Sequence, residues 1–391
     1  MGTTRRIVLG GAGALVLGAL GYRAWDRGVF EVGEGPAFRP WDEWRGTPDE
    51  GPRRGLHAAI LAANPHDTQP WLFAAHGASI SVLADRARNL GAFDPFRREM
   101  HLGVGCAIEN LMRAAAVTGY TMNVIVSGGK LEPAPGPAPV RAAHLWLDAS
   151  PAMRDELYEA IPHRHTNRGP YHERPVSDED LHKLQALVSD NEVRVVFLTD
   201  YQARAEMASM IVAATERIIA DPEMSQDSAR WFRIGKHEVA EHRDGIGIDT
   251  SGVSRWVAAG AKMMPDQDAA TADKYWLGMT RDVQTVAPVL GIVMVRDRLE
   301  MGSAIAAGRA WQRLHLAATT MGLAAQPLNQ PVEMVDRHQQ LGRNDEFAGG
   351  LQKLARANAW EATFTFRLGY AKEPALASPR RPLHQVMVEN G

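Results

Sequence analysis

Cysteine is nearly absent. The 391 residues contain one, Cys106, which excludes a disulfide within the chain and a zinc cage of thiolates, since each needs at least two thiols. Its surroundings, GVGCAIENLMRAAAVTGY, carry apolar residues at helical spacing and read as a packed core thiol rather than a nucleophile. An excess of charge of one sign is missing too: 43 Lys plus Arg stand against 46 Asp plus Glu, a net charge of -3 with a pI near 6.5. No field over the whole surface therefore draws the chain to nucleic acid or to an anionic membrane, and basic residues must be judged locally. The apolar run near the N-terminus, Ile7 to Leu20, has 14 residues, fewer than the roughly 18 to 20 of a membrane-spanning helix. A G-x-G-x-x-G after a strand is lacking, so GGAG at residues 10 to 13 is no dinucleotide fingerprint. What is present, 45% hydrophobic and 23% charged residues, is far from a disordered composition and sufficient for two ordinary domains with a sizeable core.

Arg5 and Arg6 precede the apolar run, and charge returns at Arg23. The pattern resembles a twin-arginine export signal with a glycine-rich centre; the alternative, a buried N-terminal helix, is made poor by glycines at 10, 11, 13 and 18. No A-x-A cleavage site follows, so the segment stays as a short anchor if uncleaved. The expected location is the periplasm or cell envelope, with the cytoplasm as alternative. Residues 1 to 30 are set aside as signal or anchor. Residues 31 to 54, rich in Gly, Pro and charge, read as an extended linker that Trp41 and Trp44 can pin. SGGKLEPAPGPAPV, residues 127 to 140, reads as a loop between a helix and the strand HLWLDA. Helical patterns over much of 150 to 220 and 301 to 325, interleaved with the strand-like VRVVFLTD and LGIVMVRD, place the chain in the α+β or α/β class, of which α+β is adopted.

One segment occurs twice. GCAIENLMRAAAVTG (105 to 119) and GRAWQRLHLAATTMG (308 to 322) share G-x-A-x-x-x-L-x-x-A-A-x-x-x-G without a gap. Leu111, Ala114 and Ala115, like Leu314, Ala317 and Ala318, line one helix face, where small residues allow close packing. The same helix is expected twice.

Three further stretches carry chemistry. AANPHDTQPWLF (62 to 73) packs Asn64, His66, Asp67, Thr68 and Gln69 between two prolines, a rigid loop whose amides can both give and take hydrogen bonds at the edge of a flat heterocycle; a capped turn over a core Trp71 is the bland alternative. In HRHTNR, Arg164, Thr166 and Arg168 set two guanidinium groups and a hydroxyl within five residues, which suits a phosphate dianion; the alternative is a solvated basic loop. His163 and His165 raise a metal reading that lacks further ligands, and no metal is expected. Ser177 then reads as a helix N-cap with Asp180 at the capping-box distance. At the C-terminus FRLGYAKEPALASPRRPL supplies a strand, a proline-rich tail, and Arg380 and Arg381, placed to close on the same phosphate.

Together these stretches resemble the nitroreductase-like FMN family. Arg164, Thr166, Arg168, Tyr171, Pro175 and Val176 match its phosphate motif and helix start, while Ala63, Asn64, Asp67, Gln69, Pro70 and Trp71 match its flavin-edge loop, with Asn64 for the family Ser and Asp67 for the family Asn. GLAAQPLNQP resembles the segment that passes the flavin N5 edge, which implies that role for Pro327, Leu328, Asn329 and Gln330; the family often has an acidic residue where Asn329 stands. The edge loop lies in the first half of the chain and the phosphate motif in the second. Nothing between 221 and 300 copies the edge loop, and GPRRGLHAAIL copies the phosphate motif poorly. That layout resembles the Acg-type subgroup, in which two repeats fused in one chain imitate the family homodimer. The resemblance implies repeats over residues 55 to 155 and 156 to 385, one FMN per monomeric chain, and NAD(P)H or another small molecule as electron donor.

Hydride transfer requires no general acid or base of the protein, so no catalytic side chain is named. Residues 221 to 265, with the Gly and Asp content of a long loop, are a lid candidate. If they shield the flavin, a non-catalytic flavin-binding or storage protein is the alternative to an FMN-dependent oxidoreductase with restricted access. A structural envelope protein without cofactor leaves the paired motifs unexplained.

Overall fold

In a computed structural model, residues 17–46, 49, 51–264 and 269–389 are described. Arg5, Arg6 and most of the apolar run fall outside them. The class is α+β, with two four-stranded antiparallel sheets. β1 (Trp71–His76), β2 (Ser79–Ala84), β3 (Tyr120–Val126) and β4 (Val140–Ala149) lie in the order β1-β2-β4-β3. The second sheet combines β5 (Val193–Leu198), β8 (Val289–Val295), β9 (Ala324–Pro327) and β10 (Glu361–Gly369) in the order β5-β8-β10-β9. A helix precedes the first strand of each, α1 (Pro52–Ala59) or α3 (Asp178–Val188). A 20-residue helix follows the second strand, α2 (Arg98–Val117) or α9 (Met301–Thr320). The two sheets thus share one strand order, with further helices and a small strand pair between β5 and β8 and two helices between β9 and β10 in the second.

The twin segments form the seam between the halves. A Cβ on Gly105 would stand 2.2 Å from the Ile305 carbonyl oxygen, and one on Gly308 would stand 2.0 Å from that of Leu102. Ile305 and Leu102 are themselves equivalent in the alignment of the two segments, so α2 and α9 meet reciprocally. The shared final glycines, Gly119 (φ 89°) and Gly322 (φ 71°), follow the helices in the left-handed conformation that ends a helix without steric cost. The core follows strand alternation: Val289, Val293 and Val295 of β8 join the cluster around α2 and α9. Leu290, Ile292 and Met294 face away into a second cluster with Met207, Ile211 and Ile218 of α4 (Tyr201–Ala220).

Several expectations are corrected. The linker contains the short helix Arg39–Glu43, and Trp41 and Trp44 are buried by the body. Residues 127–140 join two strands, because YTMNVIV continues from the helix-ending Gly119 as β3. The lid candidate is mainly helical rather than a long loop. It contains α5 (Pro222–Ala229), α6 (Lys236–His242) and α7 (Arg255–Met263), together with the parallel two-residue strands β6 (Phe232–Arg233) and β7 (Ile246–Gly247). α8 (Ala269–Met279) leads on toward β8. Asp221 and Ser254 cap α5 and α7 through their side chains, a signal that outweighed the local glycines. α10 (Gln330–Gln340) and α11 (Ala348–Ala355) connect β9 to β10.

Candidate functional site

The edge loop rests on the N-terminal half of α2, where a Cβ on Gly103 would meet Pro65 and Asn64. His66, Asp67 and Gln69 all take left-handed φ values of 47°, 53° and 49°, a conformation that non-glycine residues hold only when their surroundings enforce it. The enforcement is visible. Asn64 Oδ1 accepts from the Gln69 backbone N–H at 2.7 Å, while its amide donates to the Ala62 carbonyl and to Asp67 Oδ1, both at 3.2 Å. Gln312 of α9 accepts from the Ala63 N–H at 3.1 Å and donates to Asn110 of α2 at 2.7 Å, which ties the loop to the helix seam.

The basic loop approaches from the second half. Tyr171 donates its hydroxyl to the Asn167 carbonyl, Arg367 lies 3.9 Å over the Tyr171 ring, and the Arg367 guanidinium donates to the Asn167 and Gly169 carbonyls at 3.2 and 2.7 Å. Ser177 caps α3 by accepting from the Asp180 N–H at 3.1 Å. The tail closes the third side: the Arg380 N–H donates to Ala37 and its guanidinium sits 4.8 Å over Trp41, so the pinned linker positions it.

Asn64, Asp67, Arg164, Thr166, Arg168 and Arg380 consequently line one cavity, joined by Ala63, His165, Gly245, Ile246, Thr250, Leu376 and Ser378. Its charge is unbalanced. Three guanidinium groups face one carboxylate, Asp67, which accepts from Arg380 Nη1 at 2.5 Å. Arg164 is buried, donates to the Leu61 carbonyl at 3.2 Å, and leaves its Nε without a partner, as does Arg380. Burial pushes Arg164 down to about 9, with Arg380 adding to the shift, and pushes Arg168 down to about 10. Burial also raises Asp67 to about 6, against the opposing pull of Arg380 and Asn64. Strained cations around a concave space are what a bound anion relieves.

The other candidates are placed differently. Gln69 is buried behind the lining, donating to the Arg243 carbonyl at 2.8 Å and accepting from the Arg381 N–H at 2.7 Å. Thr68 is buried too, and its carbonyl accepts from Arg88. His66 packs edge-on against Phe93 at 5.0 Å with its Nε2 3.3 Å from Ser228 Oγ, and burial lowers it to about 4. Arg381 does not point into the cavity: its guanidinium donates to the Gln385 carbonyl at 3.2 Å, and only its backbone serves the edge loop. His165 packs edge-on against Trp41 at 4.6 Å.

Pro327, Leu328 and Asn329 do not line this cavity. Asn329 belongs to a buried polar cluster in which its amide donates to Glu99 and its Oδ1 accepts from the Thr365 N–H at 3.1 Å. Burial raises Glu99 to about 7 and drives Glu333 well above the carboxylate range, each reinforced by carboxylate neighbours. Sequence reading missed this cluster, because Glu99 and Glu333 are ordinary first-turn residues of α2 and α10 until the two helices meet.

Also missed as lining residues were Gly245, Ile246 and Thr250, although the lid candidate contains them. The Gly245 N–H donates to the Asp67 carbonyl at 3.1 Å, and Arg168 Nη1 donates to the Thr250 carbonyl at 3.2 Å. Asp244 beside them pairs with both Arg88 and Arg233. Residues 243–250 are therefore strapped over the cavity by both loops.

No protein-family model matches the chain. It is 26% identical over 345 residues, 86% of this chain and 90% of the relative, to "Putative NAD(P)H nitroreductase Rv3131" of Mycobacterium tuberculosis strain H37Rv. It is 27% identical over 356 residues, 85% and 94% respectively, to "Putative NAD(P)H nitroreductase acg" of the same strain. Similar solved structures include the FMN-dependent nitroreductase NfnB of Mycobacterium smegmatis in complex with NADPH. There the TM-score is 0.38 at 16% identity, over 59% of this chain and 96% of that one. A Bacteroides fragilis nitroreductase with bound FMN gives a TM-score of 0.34 at 16% identity, over 59% and 95%.

Proposed function

We propose that this chain is an FMN-binding, nitroreductase-like oxidoreductase, built from two repeats that imitate a dimer and holding one flavin. The observation that carries the reading is the cavity in which Arg164, Arg168 and Arg380 converge with Asn64 and Asp67 of the edge loop. Three guanidinium groups against one carboxylate leave two positive charges, matching a phosphate monoester dianion, and the free Nε atoms of Arg164 and Arg380 supply unused donors. The residues thus fit the phosphate end of FMN. The similarity to mycobacterial proteins named as NAD(P)H nitroreductases, which extends over most of both chains, supports the same class.

A bound flavin supplies hydride acceptance from a nicotinamide and delivery to an acceptor. The chain's own residues bind and orient: Arg164 and Arg168 hold the anion, Thr166 offers a hydroxyl, and Asn64 with the strained 66–69 backbone fixes the rim. Assignment of Pro327, Leu328 and Asn329 to the reactive edge rests on the resemblance alone. What stands at the pseudo-equivalent position before β5 supports a single site per chain. There the turn 189–193 closes on itself, with Asp190 N–H to the Val193 carbonyl and Val193 N–H to Asp190 Oδ1, both at 2.8 Å. Arg5 and Arg6 before the apolar run support twin-arginine export of the loaded protein to the envelope. Changing both to Lys then retains it in the cytoplasm, and unchanged delivery refutes the export.

The strap favours a second reading, flavin storage. Anaerobic mixing separates the two. If the protein is an oxidoreductase, NADPH or NADH bleaches the bound flavin within seconds to minutes, and a nitroaromatic or quinone restores it. Reduction by dithionite but not by nicotinamides would support storage. A protein purified from flavin-replete cells without colour and unable to take up FMN would refute both.

A further inference from the structure

The segment set aside as signal or anchor is bolted to the strap. Residues 17–26 are helical and exposed on nearly every side from 17 to 23, and they bear Leu17, Leu20, Tyr22 and Trp25, each at least half exposed or close to it. At its C-terminal end this helix locks onto α7. Arg23 Nε donates to the Met263 carbonyl at 3.0 Å and Arg27 Nε to the Lys262 carbonyl at 3.1 Å, while Lys262 Nζ returns to the Gly28 carbonyl at 3.0 Å and to Asp249 at 2.7 Å. α6 adds a second hold, Lys236 to Glu31 and His237 to Asp26, at 2.9 and 3.1 Å.

α7 turns an apolar face outward next to that helix. Trp256 is 88% exposed, and Val257 and Met264 are about half exposed. Trp256 and Gly260 are four residues apart and share one side of the helix, which Met264 follows as the C-cap, and a Cβ on Gly260 would meet nothing within 4 Å. Arg23 also donates to the Met264 carbonyl, which brings Met264 beside the helix that carries the exposed Leu20 and Tyr22. A solvent-facing Trp beside Val and Met is costly in water and suited to the boundary of a bilayer, where an indole has both apolar and polar surroundings.

We propose that Trp256, Val257 and Met264, together with residues 17–25, form one surface that docks on a lipid bilayer, so that α7 lies at the membrane. The sequence identifies the occupant. In the sequence, the run Ile7 to Val16 precedes this helix and is itself preceded by Arg5 and Arg6, whose charge complements anionic headgroups. Among the described residues no helix is long and apolar enough to cross a membrane. This placement is independent of whether the cavity holds a flavin.

The test uses the full chain with Val257→Cys carrying an environment-sensitive fluorophore, and Ile125→Cys, on an exposed edge of the first sheet, as the control position. Cys106 is buried, and burial raises it to about 12, so it does not compete for the label. With vesicles of phosphatidylglycerol and phosphatidylethanolamine, the probe at 257 is expected to shift to the blue and to be quenched by nitroxide lipids. The probe at 125 is expected to remain unchanged. Trp256→Ser with Met264→Ser lowers the vesicle partition coefficient roughly tenfold or more. Flotation with an unshifted probe at 257 would mean that the N-terminal segment alone touches lipid, and would overturn the proposal. A blue shift that depends on protein concentration without vesicles would assign the face to a second copy of the chain instead, with the same consequence.

Discussion

Replacing Gly105 or Gly308 by alanine sets two effects of opposite sign against each other. Alanine is the better helix former by about 1 kcal/mol in a helix interior, so an open site gains stability. At the seam the new Cβ would lie 2.2 Å from the Ile305 oxygen or 2.0 Å from the Leu102 oxygen, where ordinary contact begins at 3.4 Å. The obstacle is backbone in both cases, so α2 and α9 must part by more than an ångström along a length that also carries the Gln312–Asn110 bond and the burial of Leu111 and Leu314. Overpacking costs about 1–3 kcal/mol, and with obstruction by main chain the upper half of that range applies. Each single substitution is then expected to lose about 1–2 kcal/mol net. The double substitution should lose less than the sum, since the first separation of the helices accommodates the second methyl. Urea unfolding of both variants beside Gly260→Ala measures this. Gly260 faces open space in α7, so its alanine gains up to about 1 kcal/mol. If Gly105→Ala and Gly308→Ala stabilise as Gly260→Ala does, the reciprocal seam is wrong.

Other perturbations address the site and its supports. Arg164→Ala with Arg168→Ala removes two charge-assisted contacts of roughly 1.5–3 kcal/mol each, so FMN affinity, read by fluorescence titration, should fall by about 10²- to 10⁴-fold with circular dichroism unchanged. Asp67→Asn should bind FMN as well as or better than the parent at pH 7. The parent should gain on the variant as pH drops through about 6, where the Asp67 carboxyl takes up its proton and the cavity becomes more cationic; parallel pH profiles would contradict that role. Glu109 tests acid stability. Burial alone would raise it, but hydrogen bonding and charge from Arg313, with Arg113 and Arg309, hold it at about 2, below its ordinary 4.5. Its depressed value contributes about 3 kcal/mol at neutral pH, lost as pH falls from about 4.5 to about 2. Glu109→Gln should cost a similar amount at pH 7 and flatten stability over that interval.

Much of this was legible before the structure, and the reason is physical. The twin helices were readable because close packing of α2 and α9 demands small residues at fixed positions, and the alignment of Gly105 with Gly308 records that demand directly. Arg164, Thr166 and Arg168 were singled out because they fall within five residues, and all three line one cavity. β3 was overlooked because its half-exposed alternation, YTMNVIV, is weak beside the proline-rich loop that follows. Residues 221–265 were read as a long loop, since Gly245, Gly247 and Gly252 punctuate them and the helix caps at Asp221 and Ser254 lie outside the glycine cluster. Glu99 and Glu333, which surround Asn329, were hidden for a different reason: each is unremarkable locally, and the buried cluster exists only where β9, α2 and α10 meet. Arg381 shows the converse. Adjacency to Arg380 made it a phosphate candidate, but along the extended tail neighbouring side chains point opposite ways, and its own reaches Gln385.

The central claim is one flavin held by two unlike halves of a single chain. Flavin absorbance of the reconstituted protein, measured together with molar mass by light scattering, tests it most directly. One FMN for each 42.8 kDa chain, retained by a monomer, is expected. Two FMN per chain, or flavin bound only by an obligate dimer, would contradict it.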